Sequence, residues 1–376
     1  MVAHDVDEGV ELRGPARVGV RAEQRLVDVR GQGPGLRGLP GDSGSPSRFV
    51  LAVAYTAGLR PIADGAGLER TALHVLSRPR PDGRRVAADR GAVTTMRFAF
   101  KTATQSTTWA EILAVWTEAD QIELFESGWI FDHFYPIDGN VGGPCLEGWT
   151  TLAGLALATE RLRLGTLVTG IHHRHPAVLA NMVATLDIIS GGRLELGIGA
   201  GWNEEESGAY GIELGTPGER SDRFEEACQV LIGLLSQDST DFIGDHYQLT
   251  SARCDPKGPQ TPHPPICIGG SGERRTLLTT ARYAQHWNFV GGSPEEFARK
   301  VEVLHGHCAD VGRDPGEITL SSHVWLSSGS DEALANTVGQ IEAFAEHGLD
   351  LAIVYLLPPL GPAVLEPLAD ALAPMR

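Results

Sequence analysis

From residue 96 onward, short apolar segments alternate with longer segments in which apolar residues recur at helical spacing. The segment Trp109–Gln121 shows the helical pattern, with Trp109, Ile112 and Trp116 on one side. Most of the short segments are almost continuously apolar, which is typical of strands buried on both faces. The pattern therefore predicts strands that alternate with covering helices along the whole of this part of the chain.

Eight strand–helix pairs are predicted in this way. The predicted strands are Met96–Thr102, Leu124–Phe134, Leu162–Thr169, Leu194–Gly199, Pro265–Gly269, His286–Val290, Ile318–Leu326 and Leu351–Leu356. The predicted helices are Trp109–Gln121, Leu146–Thr159, Pro176–Ile189, Gly218–Leu235, Glu273–Ala284, Pro294–Val311, Asp331–His347 and Val364–Leu372. A hairpin at Phe242–Leu249, with Gly244 and Asp245 at its centre, interrupts the alternation.

Eight pairs of this length indicate an α/β fold of the (β/α)8, or TIM, barrel type. An open, doubly wound sheet is the alternative. Such a sheet does not need eight repeats, and it usually carries its phosphate loop after the first strand. The glycine-rich turns of this chain follow the fourth and fifth predicted strands instead, which favours the barrel.

The first 95 residues differ in character from the rest. They contain 14 arginines, no lysine and 11 acidic residues, and they are dense in glycine and proline. Three interpretations stay open: a disordered tail, a non-native extension ahead of a true start at Met96, and a basic arm that binds an anionic partner. Eleven acidic residues argue against a transit peptide. We expect two parts, an extension at 1–95 and a barrel at 96–376.

The whole chain carries a formal net charge of −17. Such an acidic protein repels phosphate backbones and anionic lipids, so we expect neither nucleic acid nor a membrane as partner. The five cysteines are scattered without a Cys-x-x-Cys pair, which indicates reduced thiols rather than disulfides or a zinc site. The chain shows neither an 18-residue apolar run nor a signal peptide at its start, and a cytoplasmic protein is the expectation.

In a (β/α)8 barrel the chemistry lies at the carboxyl ends of the strands. Asp132 and His133 follow the second predicted strand, where a histidine either exchanges a proton or only caps the strand. His172, His173 and His175 follow the third strand. A metal site is disfavoured there, because His172 and His173 would point to opposite sides of an extended chain and no nearby carboxylate completes a ligand set.

Arg174, also after the third strand, is expected to contact an anionic cofactor or, with His175, the next helix. After the fourth strand comes a Gly-x-Gly-x-Gly run without a clear helix directly behind it, so it matches the dinucleotide fingerprint poorly. We interpret this run as backbone that passes close to a bound ring, with stacking and polar contacts from Trp202, Asn203 and Glu204. A surface loop with a helix cap at Asn203 is the alternative.

After the fifth predicted strand, the small residues Gly269, Gly270, Ser271 and Gly272 precede a helix. Consecutive backbone N–H groups at a helix N-terminus form a phosphate site. Arg274 or Arg275 could add charge-assisted hydrogen bonds to that phosphate. A nucleophilic role for Ser271 is disfavoured, because the Gly-x-Ser-x-Gly spacing is absent.

Taken together and in this order, several segments resemble the luciferase-like monooxygenase superfamily, and more narrowly its branch that uses the deazaflavin coenzyme F420. The resemblance covers about residues 96–357. The segments that carry it are Trp129–Phe134 (WIFDHF), Gly143–Thr150 (GPCLEGWT), Leu164–Gly170 (LGTLVTG), Arg174–Pro176 (RHP), Ser190–Glu204 (SGGRLELGIGAGWNE) and Ile268–Arg275 (IGGSGERR).

The resemblance implies a flavin-like ring at the mouth of the barrel, with its phosphate on the turn Gly269–Gly272. It also implies a bulge in the third strand, often with a non-proline cis peptide, that backs the ring; the matching residues are Leu167, Val168 and Thr169. Asp132 and His133 match positions that contact the deazaflavin or transfer protons. Trp202, Asn203 and Glu204 match the loop along the ring. Members of the family commonly pair, so a homodimer is possible.

The activity implied by the resemblance is hydride transfer between coenzyme F420 and a small organic substrate, with His133 supplying or removing the proton. An FMN-dependent monooxygenase is the first alternative. A non-catalytic flavin-binding protein is the second, and a metal-dependent hydrolase is disfavoured because the strand ends lack clustered ligands. The substrate is set by loops, chiefly at 135–148 and 201–218, whose sequence does not identify it.

Overall fold

The structure is a computed structural model that describes residues 95–137, 139–359 and 361–376. The predicted extension at 1–95, apart from its last residue, lies outside the described residues. Eight parallel strands of the described part close into a barrel in the order β1-β10-β9-β8-β7-β4-β3-β2. The predicted (β/α)8 barrel is thereby confirmed. Closure is complete between first and last strands, since Arg97 to Thr102 pair with Leu351 to Leu356 in register.

The barrel strands and one separate hairpin account for the strands of the described residues. Their bounds are β1 Arg97–Thr102, β2 Phe125–Asp132, β3 Arg163–Gly170, β4 Leu194–Gly199, β5 Thr240–Ile243, β6 Gln248–Ala252, β7 Ile266–Gly269, β8 His286–Phe289, β9 Thr319–Leu326 and β10 Leu351–Leu356. Strands β5 and β6 form the predicted hairpin, which pairs antiparallel outside the barrel.

The helices alternate with the strands and surround the barrel. Their bounds are α1 Trp109–Ala119, α2 Gly148–Ala158, α3 Pro176–Ile189, α4 Glu204–Tyr210, α5 Pro217–Ser236, α6 Thr276–Tyr283, α7 Pro294–Val311, α8 Asp331–Ala345 and α9 Leu365–Leu372. None of the helices in the described ranges is long and apolar enough to cross a membrane.

Local sequence explains where several of these helices begin. Thr108 and Glu111 form a capping box at α1, and Thr216 and Glu219 form another at α5. In each box the threonine hydroxyl accepts from the N–H three residues on, while the glutamate accepts from the threonine N–H. Proline at the first position of α3, α5 and α7 fixes a helical φ where no N–H is needed.

Two apolar layers hold the barrel together. The outer layer lies between strands and helices and includes the fully buried rings of Trp116, Phe125 and Phe297. The inner layer fills the lumen with a small cluster that packs side chains from β1, β2, β3, β7 and β10: Ala99, Trp129, Leu167, Cys267, Leu351 and Ile353. Because this plug closes the lumen, a ligand can enter only at the mouth above it, formed by the carboxyl ends of the strands.

Candidate active site

The mouth of the barrel contains a close pair between a histidine and a glutamate. His133 directly follows β2, and its Nδ1 lies 2.7 Å from Glu206 Oε2. Glu206 is 1% exposed and also accepts a 2.7 Å hydrogen bond from the Phe134 N–H. Burial opposes ionisation, but the hydrogen bonds from His133 and Phe134 outweigh it and lower the pKa of Glu206. The carboxylate is therefore ionised and holds the proton of the imidazole on Nδ1.

Fixing Nδ1 as the donor leaves the other ring nitrogen of His133 for chemistry. No hydrogen bond joins His133 Nε2 to another of the described residues, and 11% of the side-chain surface stays exposed. The ring of Trp202, 61% exposed, meets the ring of His133 edge-on at 5.8 Å. A histidine of this kind can exchange a proton with a small molecule at the mouth of the barrel.

Glu206 reaches His133 because a short helix, α4, opens right after β4. The sequence predicted no helix there, and that prediction is wrong. Asn203 is the N-cap of α4, and its side-chain oxygen accepts from the Glu206 N–H at 3.0 Å. The alternative interpretation of Asn203 as a helix cap is thus confirmed. Glu204, the first residue of the helix, is exposed.

Asp132 lies behind the site rather than in it. Its side chain is fully buried, and the guanidinium of Arg174 donates to both carboxylate oxygens. Arg174 Nη1 donates to Oδ2, and Nη2 donates to Oδ1 at 3.2 Å. Arg174 also contacts Glu147, the N-cap of α2, at 3.0 Å. Burial raises the pKa of Asp132, yet His173 and Arg174 outweigh this effect and lower it to about 2. Through this ion pair Asp132 anchors the loop after β3, while the catalytic roles expected for Asp132 and His133 stay predictions.

The histidines after β3 do not point to opposite sides, as an extended chain would require. Residues 171–173 form a turn of 3-10 helix, which brings the rings of His172 and His173 to 4.2 Å. Carboxylates are also near, since His173 lies 3.7 Å from Asp132 and 3.8 Å from Glu206. Both assumptions behind the sequence argument against a metal site are therefore wrong. Even so, no cluster suited to a metal ion occurs within the ranges that the structure describes.

His175 contacts the next helix, as predicted, because its Nδ1 accepts from the Ala177 N–H at the start of α3. Arg174 contacts the carboxylates described above. Trp149 on α2 donates its indole N–H to the Thr169 hydroxyl at 2.9 Å. Thr169 is fully buried, so its side chain faces α2 and only its backbone lies near the mouth.

Strand β3 bulges where the resemblance implied. The peptide bond between Leu167 and Val168 is cis, and the register against β2 and β4 shifts there. Val168 packs between two glycines, since a Cβ on Gly199 or Gly269 would come within 2.9 Å of its methyl groups. The bulge is therefore tightly packed against the two strands beside it, and Val168, Gly199 and Gly269 together are called the cradle below.

The turn after β7 has fewer backbone N–H groups available to a phosphate than the sequence predicted. The Gly270 N–H donates to the carbonyl of Asn288 at 3.2 Å. The N–H groups of Ser271 and Gly272 bind no acceptor among the described residues and lie ahead of α6. Arg275 is held by Asp222 on α5, whereas Arg274 is exposed and forms no ion pair within the described part. Two N–H groups and Arg274 are thus suited to a phosphate.

Three residues of the mouth were missed by the sequence interpretation: Glu206, Lys101 and His323. Lys101 and His323 lie on β1 and β9, and their contacts are described below. A capping pattern, Asn203 followed three residues later by Glu206, could have revealed the helix. The same pattern would not have revealed the contact between Glu206 and His133, because a capping glutamate is expected to accept from the backbone N–H of its N-cap residue. Here the Glu206 carboxylate binds His133 instead.

The described residues form a (β/α)8 barrel with a histidine–glutamate pair at the carboxyl ends of its strands. Residues 89–352 match the model of the luciferase-like monooxygenase family, and the chain belongs to that family.

Two curated relatives illustrate the range of similar proteins. The chain is 33% identical over 220 residues to a phthiodiolone/phenolphthiodiolone dimycocerosates ketoreductase of Mycobacterium tuberculosis, covering 54% of this chain and 56% of the relative. It is 35% identical over 174 residues to the pyrimidine monooxygenase RutA of Stutzerimonas stutzeri, covering 45% and 47%. The matches thus span about half the length of these relatives.

Solved structures share the fold. An F420-dependent secondary alcohol dehydrogenase in complex with an F420-acetone adduct superposes with a TM-score of 0.68 at 19% identity, over 75% of this chain and 99% of the other. A coenzyme F420-dependent tetrahydromethanopterin reductase from Methanopyrus kandleri gives 0.62 at 18% identity, over 74% and 99%.

Proposed function

We propose that this protein is a coenzyme F420-dependent oxidoreductase that transfers a hydride between the cofactor and a small organic substrate. The observation that carries the proposal is the His133–Glu206 pair, which leaves the second imidazole nitrogen of His133 without a hydrogen bond to the described residues at the carboxyl ends of the strands. A relative named as a ketoreductase and neighbours in fold named as F420-dependent support it.

The residues of the chain fit a cofactor of this shape. The bulge at Val168, flanked by Gly199 and Gly269, would lie against the ring, and the N–H groups of Ser271 and Gly272 would hold the phosphate. A bound reduced deazaflavin supplies a hydride, and its oxidised form accepts one.

The proton that accompanies the hydride needs a group of the protein. In the reductive direction, protonated His133 gives its Nε2 proton to the oxygen of a carbonyl substrate, whose carbon has gained the hydride. In the oxidative direction, neutral His133 takes the hydroxyl proton at the same nitrogen. Glu206 stays ionised throughout and stabilises the imidazolium that forms between turnovers.

An FMN-dependent monooxygenase is the second candidate, because one relative is named as a pyrimidine monooxygenase. Binding of both cofactors to the purified chain, followed by absorbance, distinguishes the two candidates. We expect F420 to bind and to be reduced or oxidised with a substrate carbonyl or alcohol. Tight binding of FMN without affinity for F420 would overturn the proposal in favour of the monooxygenase.

A further inference from the structure

A lysine lies inside the mouth of the barrel. Lys101 is the second-last residue of β1 and is 6% exposed. Its Nζ donates to the carbonyl of Leu167 at 3.1 Å, and lies 4.8 Å from the centre of the Tyr355 ring and 5.6 Å from that of Phe131. The ammonium is therefore enclosed by one carbonyl and two aromatic rings, directly above the apolar plug of the lumen.

This lysine has no acidic partner among the described residues. The chain contains three lysines, and the other two are paired: Lys300 with Glu273 at 2.9 Å and Lys257 with Asp255 at 3.4 Å. Lys300 is about as buried as Lys101, at 9% exposure, so burial alone does not explain the difference. A buried ammonium without a counter-ion is unfavourable, because the barrel wall replaces its water without replacing the lost charge interactions.

The groups that face Lys101 leave its charge uncompensated. Burial lowers the pKa of Lys101 to about 7. His323 on β9 lies 3.5 Å away through Nε2, and burial, followed by the charge of Lys101, lowers the pKa of His323 well below its usual value. His323 is therefore neutral. Within the described ranges, the other titratable group that faces Lys101 is the phenol of Tyr355 on β10, since β2 and β3 present Phe131 and the Leu167 carbonyl.

The position of Lys101 relative to His133 shows what it could bind. The ring of Phe131 lies 5.3 Å from the ring of His133 and 5.6 Å from Lys101 Nζ, so one aromatic ring is close to both groups. A molecule that contacts both His133 and Lys101 would therefore lie along the Phe131 ring. The rim beside His323 is formed by Trp325, which is 42% exposed.

We propose that Lys101 is a substrate-binding residue that takes a carboxylate of a substrate with an aromatic or apolar body. This inference rests on the proposed function, because it assigns the far end of the substrate whose reacting carbon lies near His133. The carboxylate supplies the counter-ion that the described residues do not, and the rings of Phe131 and Tyr355 cover the body of the molecule.

The test uses the full chain without cofactor and a pair of probes, benzoate and the neutral, similarly shaped benzamide. Calorimetry at pH 6 is expected to show benzoate binding about tenfold or more tightly than benzamide. Because the ammonium loses its proton above the Lys101 pKa of about 7, benzoate affinity should fall by on the order of tenfold or more between pH 6 and pH 9. Benzamide affinity should stay constant over this range.

The variant Lys101→Met removes the charge and keeps an unbranched side chain one atom shorter, and we expect it to bind both probes equally. The matched control is Lys257→Met, which removes another lysine charge outside the mouth and should keep the benzoate preference. A wild-type protein without any benzoate preference, or a Lys101→Met variant that retains it, overturns the proposal. Where Lys101→Met fails to fold, His133→Gln removes the other group of the mouth that exchanges protons. Retention of the pH-dependent benzoate preference in His133→Gln supports the proposal, and its loss overturns it.

Cofactor binding to Lys101→Met is measured in parallel. Loss of F420 or FMN affinity with unchanged benzoate binding would assign the lysine to the cofactor and also overturn the proposal. Failure of the proposed function gives a different result, since benzoate binding in the cofactor-free chain does not depend on it. In that case the benzoate preference persists while F420 neither binds nor transfers hydride.

Discussion

His133 Nδ1 and Glu206 Oε2 lie 2.7 Å apart although the two residues are 73 positions apart in the chain. The contact joins the end of β2 to the first turn of α4. Because Glu206 is buried and ionised, it orients the imidazole and selects the nitrogen that faces the mouth. The predictions below follow from this pair and from the groups that hold it.

Replacing the glutamate of this pair should impair turnover without abolishing cofactor binding. We expect Glu206→Gln to lower the rate of hydride transfer by roughly 100-fold, the lower end of what general acid–base catalysis contributes. The neutral amide stabilises the imidazolium less and no longer fixes its tautomer. Stopped-flow absorbance of the deazaflavin measures the rate as a function of pH.

Glu205→Gln is the matched control, because Glu205 is exposed on the same turn of α4. It should leave the rate and its pH profile unchanged. Equal rates for Glu206→Gln and the wild-type protein, across the whole pH range, would show that the pair plays no part in proton transfer.

The buried ion pair behind the site should matter for stability. Arg174→Met leaves Asp132 buried with one fewer partner, and we expect the free energy of unfolding to fall by about 3–5 kcal/mol. Urea unfolding measures the change. Arg275→Met, which removes an exposed pair with Asp222, is the control and should cost less than about 1 kcal/mol. A similar small effect of both variants would contradict the role of Asp132 as an anchor.

The cradle beside Val168 should tolerate little added volume. In Gly199→Ala the new methyl group meets Val168 at 2.9 Å, and we expect a loss of about 1–3 kcal/mol in stability together with weaker cofactor binding. Gly208→Ala on α4, where nothing lies within 4 Å, should be neutral or slightly stabilising. Thermal unfolding and absorbance titration give the two quantities. If Gly199→Ala bound F420 as tightly as the wild-type protein, the deazaflavin ring would not lie against the bulge at Val168.

Acid should destabilise the protein through His172. Burial, and then the charge of His173, lowers the pKa of His172 to about 4. A histidine with a lowered pKa takes up a proton more readily when unfolded, so its contribution to stability is present above pH 6.5 and is lost as the pH falls toward 4. The loss is on the order of 1–3 kcal/mol.

The free energy of unfolding, measured in urea between pH 7 and pH 4, tests this expectation. His172→Gln should show a shallower decline than the wild-type protein, since glutamine does not titrate. His246→Gln is a suitable control, because it removes a histidine from the β5–β6 hairpin, which pairs outside the barrel. Parallel curves for wild type and His172→Gln would refute the assignment.

Much of the fold follows from local pattern. Helix α3 and strand β4 have the predicted bounds, Pro176–Ile189 and Leu194–Gly199, because their apolar periods and flanking residues are unambiguous. Helix α4 was missed because it has only seven residues, follows a glycine-rich stretch and carries no apolar period. A helix so short is stabilised by its cap at Asn203 and by tertiary contacts rather than by propensity.

Contacts at the mouth depended on the path of the chain in space. His172 and His173 share one side because residues 171–173 turn, and a sequence does not show a single helical turn that packing stabilises. Likewise, the Gly270 N–H is taken by Asn288, a residue of the neighbouring strand β8, so a glycine-rich turn did not mean a row of free donors.

The sequence by itself determined the barrel and which residues stand at its strand ends, because apolar period and local motifs are properties of short segments. The position of the β3 bulge came from the resemblance to the family. Tertiary structure alone decided that Glu206 holds His133, that Arg174 holds Asp132, and that Lys101 is buried without an acidic partner. Each of these depends on distances between side chains from different strands and helices, and such distances are set only when the barrel closes.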